Sequence, residues 1–360
     1  MSVTVYSHLS ALRALRSSRT WRGEVPWRAC TSDEQEHVLA RSDCRSSATD
    51  LEELRSLGIA ADADPESGAP REPLDILVGN AGSRVPRIGV RPHLISRLPP
   101  DGSLLRVSQG VYVCRPELCL IQLAATIKRE ELVAIAFELL GLYTLPPDGD
   151  GDFNPCEPAM TLDSLKDYLD RAGRMRGSRT VREALPYLLG RSRSPRETAT
   201  VALLTQPIVR GGYGLDLPLL NHTVQLDSYA REQGGPPEYE CDAYFIKARV
   251  DLEYDSAHHN DEEQRRRDTA RDVAFARMGI LVLRVSAAQL NDPGRLEPVA
   301  RIIARRSGGR LRIRSSVFAL RQALLHSALI KQQDAEDEPA SDSDSDEETP
   351  EQGGQFQHEL

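Results

Sequence analysis

The segment Val250-Asp251-Leu252-Glu253-Tyr254-Asp255 decides how the C-terminal half of this chain is read. Its residues alternate apolar and acidic. Successive side chains of a strand point to opposite faces, so Asp251, Glu253 and Asp255 share one face while Val250, Leu252 and Tyr254 share the other. Like charges crowded on a half-buried strand repel one another, and a bound cation relieves that repulsion. A fourth carboxylate, Asp242, lies in the preceding apolar segment, and a turn near Lys247-Ala248 would fold the two segments into a hairpin. That pairing brings Asp242 and Glu253 together at one end of a sheet. Two carboxylates supplemented by water oxygens suit Mg²⁺, which prefers hard oxygen ligands. Such an ion activates a water and neutralises charge building on a phosphate.

Downstream, a helix over about 262–278 stops at Gly279, and Ile280–Val285 is apolar at every position but Arg284, as a strand covered on both faces would be. Strand, helix, strand makes a parallel crossover unit. Upstream, strands are expected near 222–227 and 239–246. Gly211-Gly212-Tyr213-Gly214 marks a turn-rich loop. Ser194-Pro195-Arg196-Glu197 opens a helix, with Ser as N-cap and Pro at the first position. Glu197 has two readings. It closes a capping box, or, heading the stripe Glu197, Val201 and Leu204, it turns toward the sheet as a further metal ligand. His258 and His259 follow the acidic strand. A neutral imidazole there takes a proton from water or binds metal; the plainer reading is a pair of surface loop histidines. Asp268 and Arg271, one helical turn apart, are either a surface pair or a support for the site and a phosphate.

The N-terminal half reads differently. Residues 1–70 are weakly patterned, with a short helix opening at His8 and another over Asp50–Leu57 that stops at Gly58. Residues 73–114 are β-rich: Leu74–Val78 is an apolar run, and Leu104–Val107 and Val111–Cys114 flank the turn Ser108-Gln109-Gly110. Helices are expected over Pro116–Ile127 and about 130–142. A Pro/Gly/Asp-rich loop at 146–158 and helices near 162–172 and 178–190 then lead into the C-terminal unit. The expected domains are a small helical region at 1–70, an α+β domain at 71–145, a linker and helix at 146–177, a larger unit at 178–330 and a disordered acidic tail at 331–360.

The chain has 360 residues, 40% of them hydrophobic, enough for sizeable cores. No run approaches the length of a membrane span, and the start lacks a signal peptide pattern, so a cytoplasmic location without membrane partners is expected. Six cysteines without zinc spacing read as reduced structural thiols. Net charge is −9, unevenly placed: from Asp334 onward there are eleven acids and no Lys or Arg. Arg301, Arg305, Arg306, Arg310, Arg312, Arg314, Arg321 and Lys331 precede that tail with no acid among them. This contrast suits a nucleic-acid binder with a self-shielding tail; it also suits a solvated helix face followed by a solubilising tail.

Ser194-Pro195-x-Glu197, Cys241-Asp242-Ala243-Tyr244, Glu253-Tyr254-Asp255-Ser256 with His259, and Arg267-Asp268-x-x-Arg271 ahead of Gly279–Val285 occur in that order. Over about 190–290 the chain thereby resembles the Vsr-like branch of the PD-(D/E)XK nucleases. Pro116–Ala124 looks like the corresponding segment of proteins related to AbiEi-type antitoxins. The resemblance implies a fold of α+β (α/β) class: a PD-(D/E)XK core of mixed sheet flanked by helices, preceded by a smaller α+β domain. It implies a metal-dependent DNA endonuclease, with Mg²⁺ or Mn²⁺ held by Asp242 and Glu253 and aided by Glu197. Asp255 and His259 would activate the nucleophile or support the metal. DNA contacts would come from Arg271, Arg305, Arg306, Arg310, Arg312 and Arg314. The alternative is a non-catalytic DNA-binding regulator on the same fold, with a toxin or other defence-system partner. Two positions depart from the family pattern. Asp255 stands where the general motif has lysine, a feature shared with this branch, and Ser256 replaces the usual glycine. The general base is therefore unassigned, and water activation falls to the metal or to His259.

Overall fold

The structure is a computed structural model that describes residues 3–22, 27–46, 51–61, 72–149, 151–227, 237–255, 262–314 and 316–330; for 20–22, 46, 255 and 262–268 it describes backbone alone. It is a mixed α+β structure with two mixed sheets flanked by helices. The first sheet has six strands: β1 (Thr4–Tyr6), β2 (Arg28–Ala29), β3 (Leu74–Val78), β4 (Val90–Leu94), β5 (Leu104–Ser108) and β6 (Val111–Cys114), in the order β2-β5-β6-β1-β3-β4. A two-stranded ribbon of β7 (Tyr143–Thr144) and β8 (Asn154–Pro155) follows. The second sheet holds β9 (Leu219–Gln225), β10 (Glu238–Phe245), β11 (Val250–Asp255) and β12 (Leu281–Ser286), in the order β12-β11-β10-β9.

The hairpin expected around Ser108-Gln109-Gly110 is present as β5 and β6, with Gly110 at φ 82° in the turn and a register shift between Arg106 and Ser108. Less expected is the role of the first residues. β1 lies inside the sheet, parallel to β6 and antiparallel to β3, with Val5 opposite Leu77 and Tyr6 opposite Ile76. The separate, weakly patterned region expected for 1–70 is thus corrected: its first strand is integral to the β-rich domain. A three-residue strand is too short to show a period, and its burial comes entirely from its neighbours.

Helices cover the space between the two sheets. Helix Arg129–Leu140 is buried from Leu132 to its end, and helix Phe318–Ile330 packs on it and on helix Pro195–Thr205. One continuous hydrophobic cluster includes Val5 and Ile76 from the first sheet and Val250 and Leu252 from the second. The second sheet's other face packs on helix Glu262–Arg277 through Cys241, Phe275 and Ala274.

The β10–β11 hairpin turns at residues 246–249, where Lys247-Ala248 was expected to sit, with Arg249 at φ 51°. β11 and β12 run parallel, joined by helix Glu262–Arg277, as the crossover reading required. However, β12 is an edge strand. Both of its faces still meet a core, Leu281, Leu283 and Val285 on the large cluster and Val282 on the smaller one, although Leu281, Val282 and Leu283 are half-buried and Arg284 is exposed. An apolar run marks coverage of a strand's faces but does not say on how many sides the strand is paired. Among the described residues no helix is long and apolar enough to cross a membrane, and all six cysteines are free thiols. The acidic tail falls outside the described residues.

Candidate functional site

The hairpin register, Ala243 opposite Leu252, brings Asp242 alongside the end of β11. There the backbone N–H of Tyr254 donates to Asp242 Oδ2 at 3.3 Å. The apolar members of β11, Val250 and Leu252, enter the large core, while Asp251 and Glu253 occupy the opposite face, as the alternation required. The cost of that placement is visible in the acids. Asp251 is 0% exposed, and neither of its carboxylate oxygens has a hydrogen-bond partner among the described residues. Burial, then the charge of Glu253, pushes its carboxyl up to about 8, with the Cys241 thiol as a polar neighbour. A buried carboxylate without a partner favours its neutral form.

Glu253 is better provided. Arg271 Nη1 donates to its Oε1 at 2.6 Å and Arg271 Nη2 to its Oε2 at 3.0 Å. Tyr239 Oη donates to Oε1 at 3.4 Å, and Arg284 Nε stands 3.4 Å from Oε2. Burial still holds the Glu253 carboxyl above its ordinary range, with Arg271 working against it and Asp242 adding to it. Arg271 is nearly enclosed, lying over the Tyr239 ring at 4.5 Å with its Nη1 on the Tyr239 hydroxyl. It also pairs with Asp272 at 3.2 Å, and Asp272 in turn receives Arg284 at 2.9 Å.

Glu197 closes no capping box, but it does turn toward the acids of the sheet. Ser194 Oγ caps the helix by accepting from Glu197 N at 3.1 Å. Glu197 reaches back not to the N-cap amide but to the amide of Arg193, which donates to its Oε2 at 2.9 Å, while Ser194 Oγ donates to Oε1 at 3.3 Å. Its carboxyl is nonetheless raised to about 7 by burial, with the charge of Asp242 contributing, so it also faces the acidic patch. Asp242 is raised by burial and held back by Tyr254 N–H, Arg193 and Arg271. Arg193 pairs with Glu240, and buried Arg196 donates to the Tyr254 hydroxyl at 2.6 Å.

Glu197, Asp242, Asp251 and Glu253 therefore share one buried electrostatic neighbourhood, and only Glu253 has a bidentate cation. Such a patch can do one of two things: hold a divalent cation on hard oxygen donors, or hold protons. The donor chemistry fits the cation. Even so, among the described residues no three His, Cys, Asp or Glu side chains stand close enough to hold a metal. Asp255 ends β11, paired with Ser286. Its side chain lies outside the described residues, as do His258, His259 and Ser256 and the side chain of Asp268.

Of the arginines expected on DNA, Arg271 turns inward to Glu253, and Arg306 donates to the carbonyls of Ala248 at 2.8 Å and Gly279 at 2.9 Å, clamping the hairpin turn to the next strand. Arg305, Arg310, Arg312 and Arg314 are exposed. Sequence reasoning gave no role to Tyr239, Arg193 or Arg284, the last being noted only within the strand after Gly279. Tyr239 lies on β10 next to the acids, and that cross-strand position was the available signal. Arg193 carried none. Comparison of the chain with family models, with curated proteins and with solved structures returns no match.

Proposed function

We propose that the second sheet and its helices form a metal-dependent DNA endonuclease of PD-(D/E)XK type that hydrolyses phosphodiester bonds in repair or defence. The observation that carries this reading is the buried carboxylate of Asp251, which has no hydrogen-bond partner among the described residues and lies within reach of the charges of Glu253 and Asp242. The order helix, three antiparallel strands, helix, parallel strand is in keeping with that core. Asp242 and Glu253 would hold Mg²⁺ or Mn²⁺, with Glu197 in support and Asp255 and His259 close by in sequence. The ion would supply Lewis acidity and a more acidic bound water. The chain's own residues contribute the rest. Glu197, with a carboxyl near 7, is tuned to exchange a proton at neutral pH. Arg271 holds Glu253 in place through two parallel bonds. The strip of Arg305, Arg310, Arg312 and Arg314 offers phosphate contacts.

One observation favours a second reading, a DNA-binding regulator without chemistry: Arg271 already supplies Glu253 with a positive charge. Plasmid cleavage by the full chain in Mg²⁺, in Mn²⁺ and in EDTA, with Glu253→Ala alongside, separates the two. Cleavage that needs both metal and Glu253 supports the nuclease. Salt-sensitive DNA binding without cleavage in any metal moves the assignment to the regulator.

A further inference from the structure

A second polar constellation lies on the first sheet, independent of the acids on β11. A cavity of about 470 Å³ opens there, within the size range of small-molecule sites. Its polar floor is His8, His93 and Gln122, with Asp75 behind them. Asp75 of β3 is 0% exposed; its Oδ1 lies 2.7 Å from His93 Nε2, and its Oδ2 accepts from Leu9 N at 3.3 Å. The His93 ring stacks on the His8 ring at 3.6 Å between centroids, tilted by 20°. His8 is held from both ends. Its backbone N–H donates to Gln122 Oε1 at 3.3 Å, its carbonyl accepts from Cys119 Sγ at 3.3 Å, and Nδ1 lies 3.0 Å from Ser7 Oγ.

His8 also sits at φ 48°, a left-handed conformation that costs a non-glycine residue energy and persists where the surroundings impose it. Burial, with the neighbouring His93, lowers the His8 imidazole to about 3, which leaves it a neutral ring. Two stacked imidazoles oriented by a buried carboxylate make a rigid, directional floor. Gln122, nine-tenths buried, lines the same cavity.

The rim has one sign. Arg84, Arg97, Arg174 and Arg176 line the opening and are exposed. Asp75, the acid behind His93, is already engaged by His93, by Leu9 N–H and by Arg91 at 3.5 Å, and no acid lines the cavity among the described residues. Four guanidinium groups around an opening with no acid among its described lining residues select an anion, and the guanidinium fork matches phosphate oxygens two at a time. Leu77, Ile95 and Met175 supply an apolar wall, which a bare inorganic ion would leave unused. Imidazole and guanidinium planes are also stacking surfaces for nucleobases.

We propose that this cavity binds a nucleotide, its phosphate on the rim arginines and its base against the His8–His93 floor and the apolar wall. The nucleotide is either free or the 5′-phosphorylated end of a strand; the chemistry recognised is the same. This inference stands whether or not the acidic site cleaves DNA.

Titration calorimetry of the full chain tests it, with deoxyadenosine monophosphate, deoxyadenosine, inorganic phosphate and a 5′-phosphorylated dinucleotide as probes. The monophosphate should bind at least about tenfold more tightly than either deoxyadenosine or inorganic phosphate. Arg97→Ala combined with Arg176→Ala should remove at least about tenfold of that affinity. Both arginines are exposed, so the double variant should keep the wild-type circular dichroism spectrum and melting temperature. His93→Ala should weaken the monophosphate more than inorganic phosphate, because it removes a stacking surface. Tighter binding of the dinucleotide than of the monophosphate assigns a strand end, and the reverse order a free nucleotide. No binding of either phosphorylated probe at millimolar concentration overturns the proposal. So does equal affinity for inorganic phosphate, or an unchanged affinity in a folded double variant.

Discussion

Arg271 and Glu253, eighteen positions apart, close a two-point ion pair beneath the second sheet, with Nη1 to Oε1 at 2.6 Å and Nη2 to Oε2 at 3.0 Å. The two side chains are 5% and 12% exposed, so solvent screens them little. Removing one partner of such a pair leaves the other as an uncompensated buried charge. Arg271→Ala is therefore expected to destabilise the fold by about 3–5 kcal/mol, read as a shift in the urea midpoint at constant slope. Arg271→Ala with Glu253→Gln should recover a large part of that loss. A double variant no more stable than Arg271→Ala would mean that the guanidinium acts through its packing on Tyr239 instead.

The start of helix Pro195–Thr205 gives a second expectation. Ser194 Oγ both caps Glu197 N and donates to the Glu197 carboxylate. Ser194→Ala should cost about 1 kcal/mol of stability by loss of the cap. If Glu197 also serves cleavage, the same variant should lower activity beyond its effect on the folded fraction. Activity that follows stability alone would confine Glu197 to the cap.

These two sites show how far the residues announce their own arrangement. β11 was legible because it alternates with period two, and the crossover because Gly279 separates a helix from an apolar run. The hairpin turn was legible, so the approach of Asp242 to Glu253 was too. What was not legible depends on contacts distant in sequence. Thr4–Tyr6 becomes a sheet strand through Ile76 and Val113 on either side of it. His8 meets His93 only once β4 is laid beside β3. Arg306, counted among DNA contacts on charge alone, is committed to two backbone carbonyls. The turn Gly211-Gly212 was visible, but not its reason: a Cβ at Gly211 would fall on the carbonyl of Arg321, and one at Gly212 on that of Gln206.

The exposed basic strip carries a third expectation. Each phosphate neutralised by an arginine releases counterion, so the logarithm of DNA affinity falls with the logarithm of salt in proportion to the contacts made. Changing Arg310, Arg312 and Arg314 together to Ala should reduce that slope by about 2–3 and weaken all sequences alike. Arg306→Ala should instead lower thermal stability, because its guanidinium ties the hairpin turn to Gly279. Truncation at Asp334 should raise DNA affinity if the acidic tail competes for the strip. A salt slope unchanged by the triple variant would remove the strip from the DNA interface.

Asp251 gives a prediction in which the sign is fixed by the structure. Its carboxyl titrates near its ordinary 3.8 in the unfolded chain and is pushed up to about 8 in the fold, by burial and by Glu253. Between those two values the folded state binds more protons than the unfolded state, so stability falls as pH rises. The contribution is fully present below about 4 and is lost as pH passes through about 8. Asp251→Asn, which keeps the shape and removes the charge, should flatten that part of the profile and be more stable than wild type at pH 8. Melting curves of both proteins across this range, in EDTA, measure the difference directly. Mg²⁺ or Mn²⁺ should then raise the wild-type melting temperature most at the alkaline end, where the carboxyls compete least with protons. Parallel profiles for the two proteins would mean that Asp251 is not the group carrying the charge.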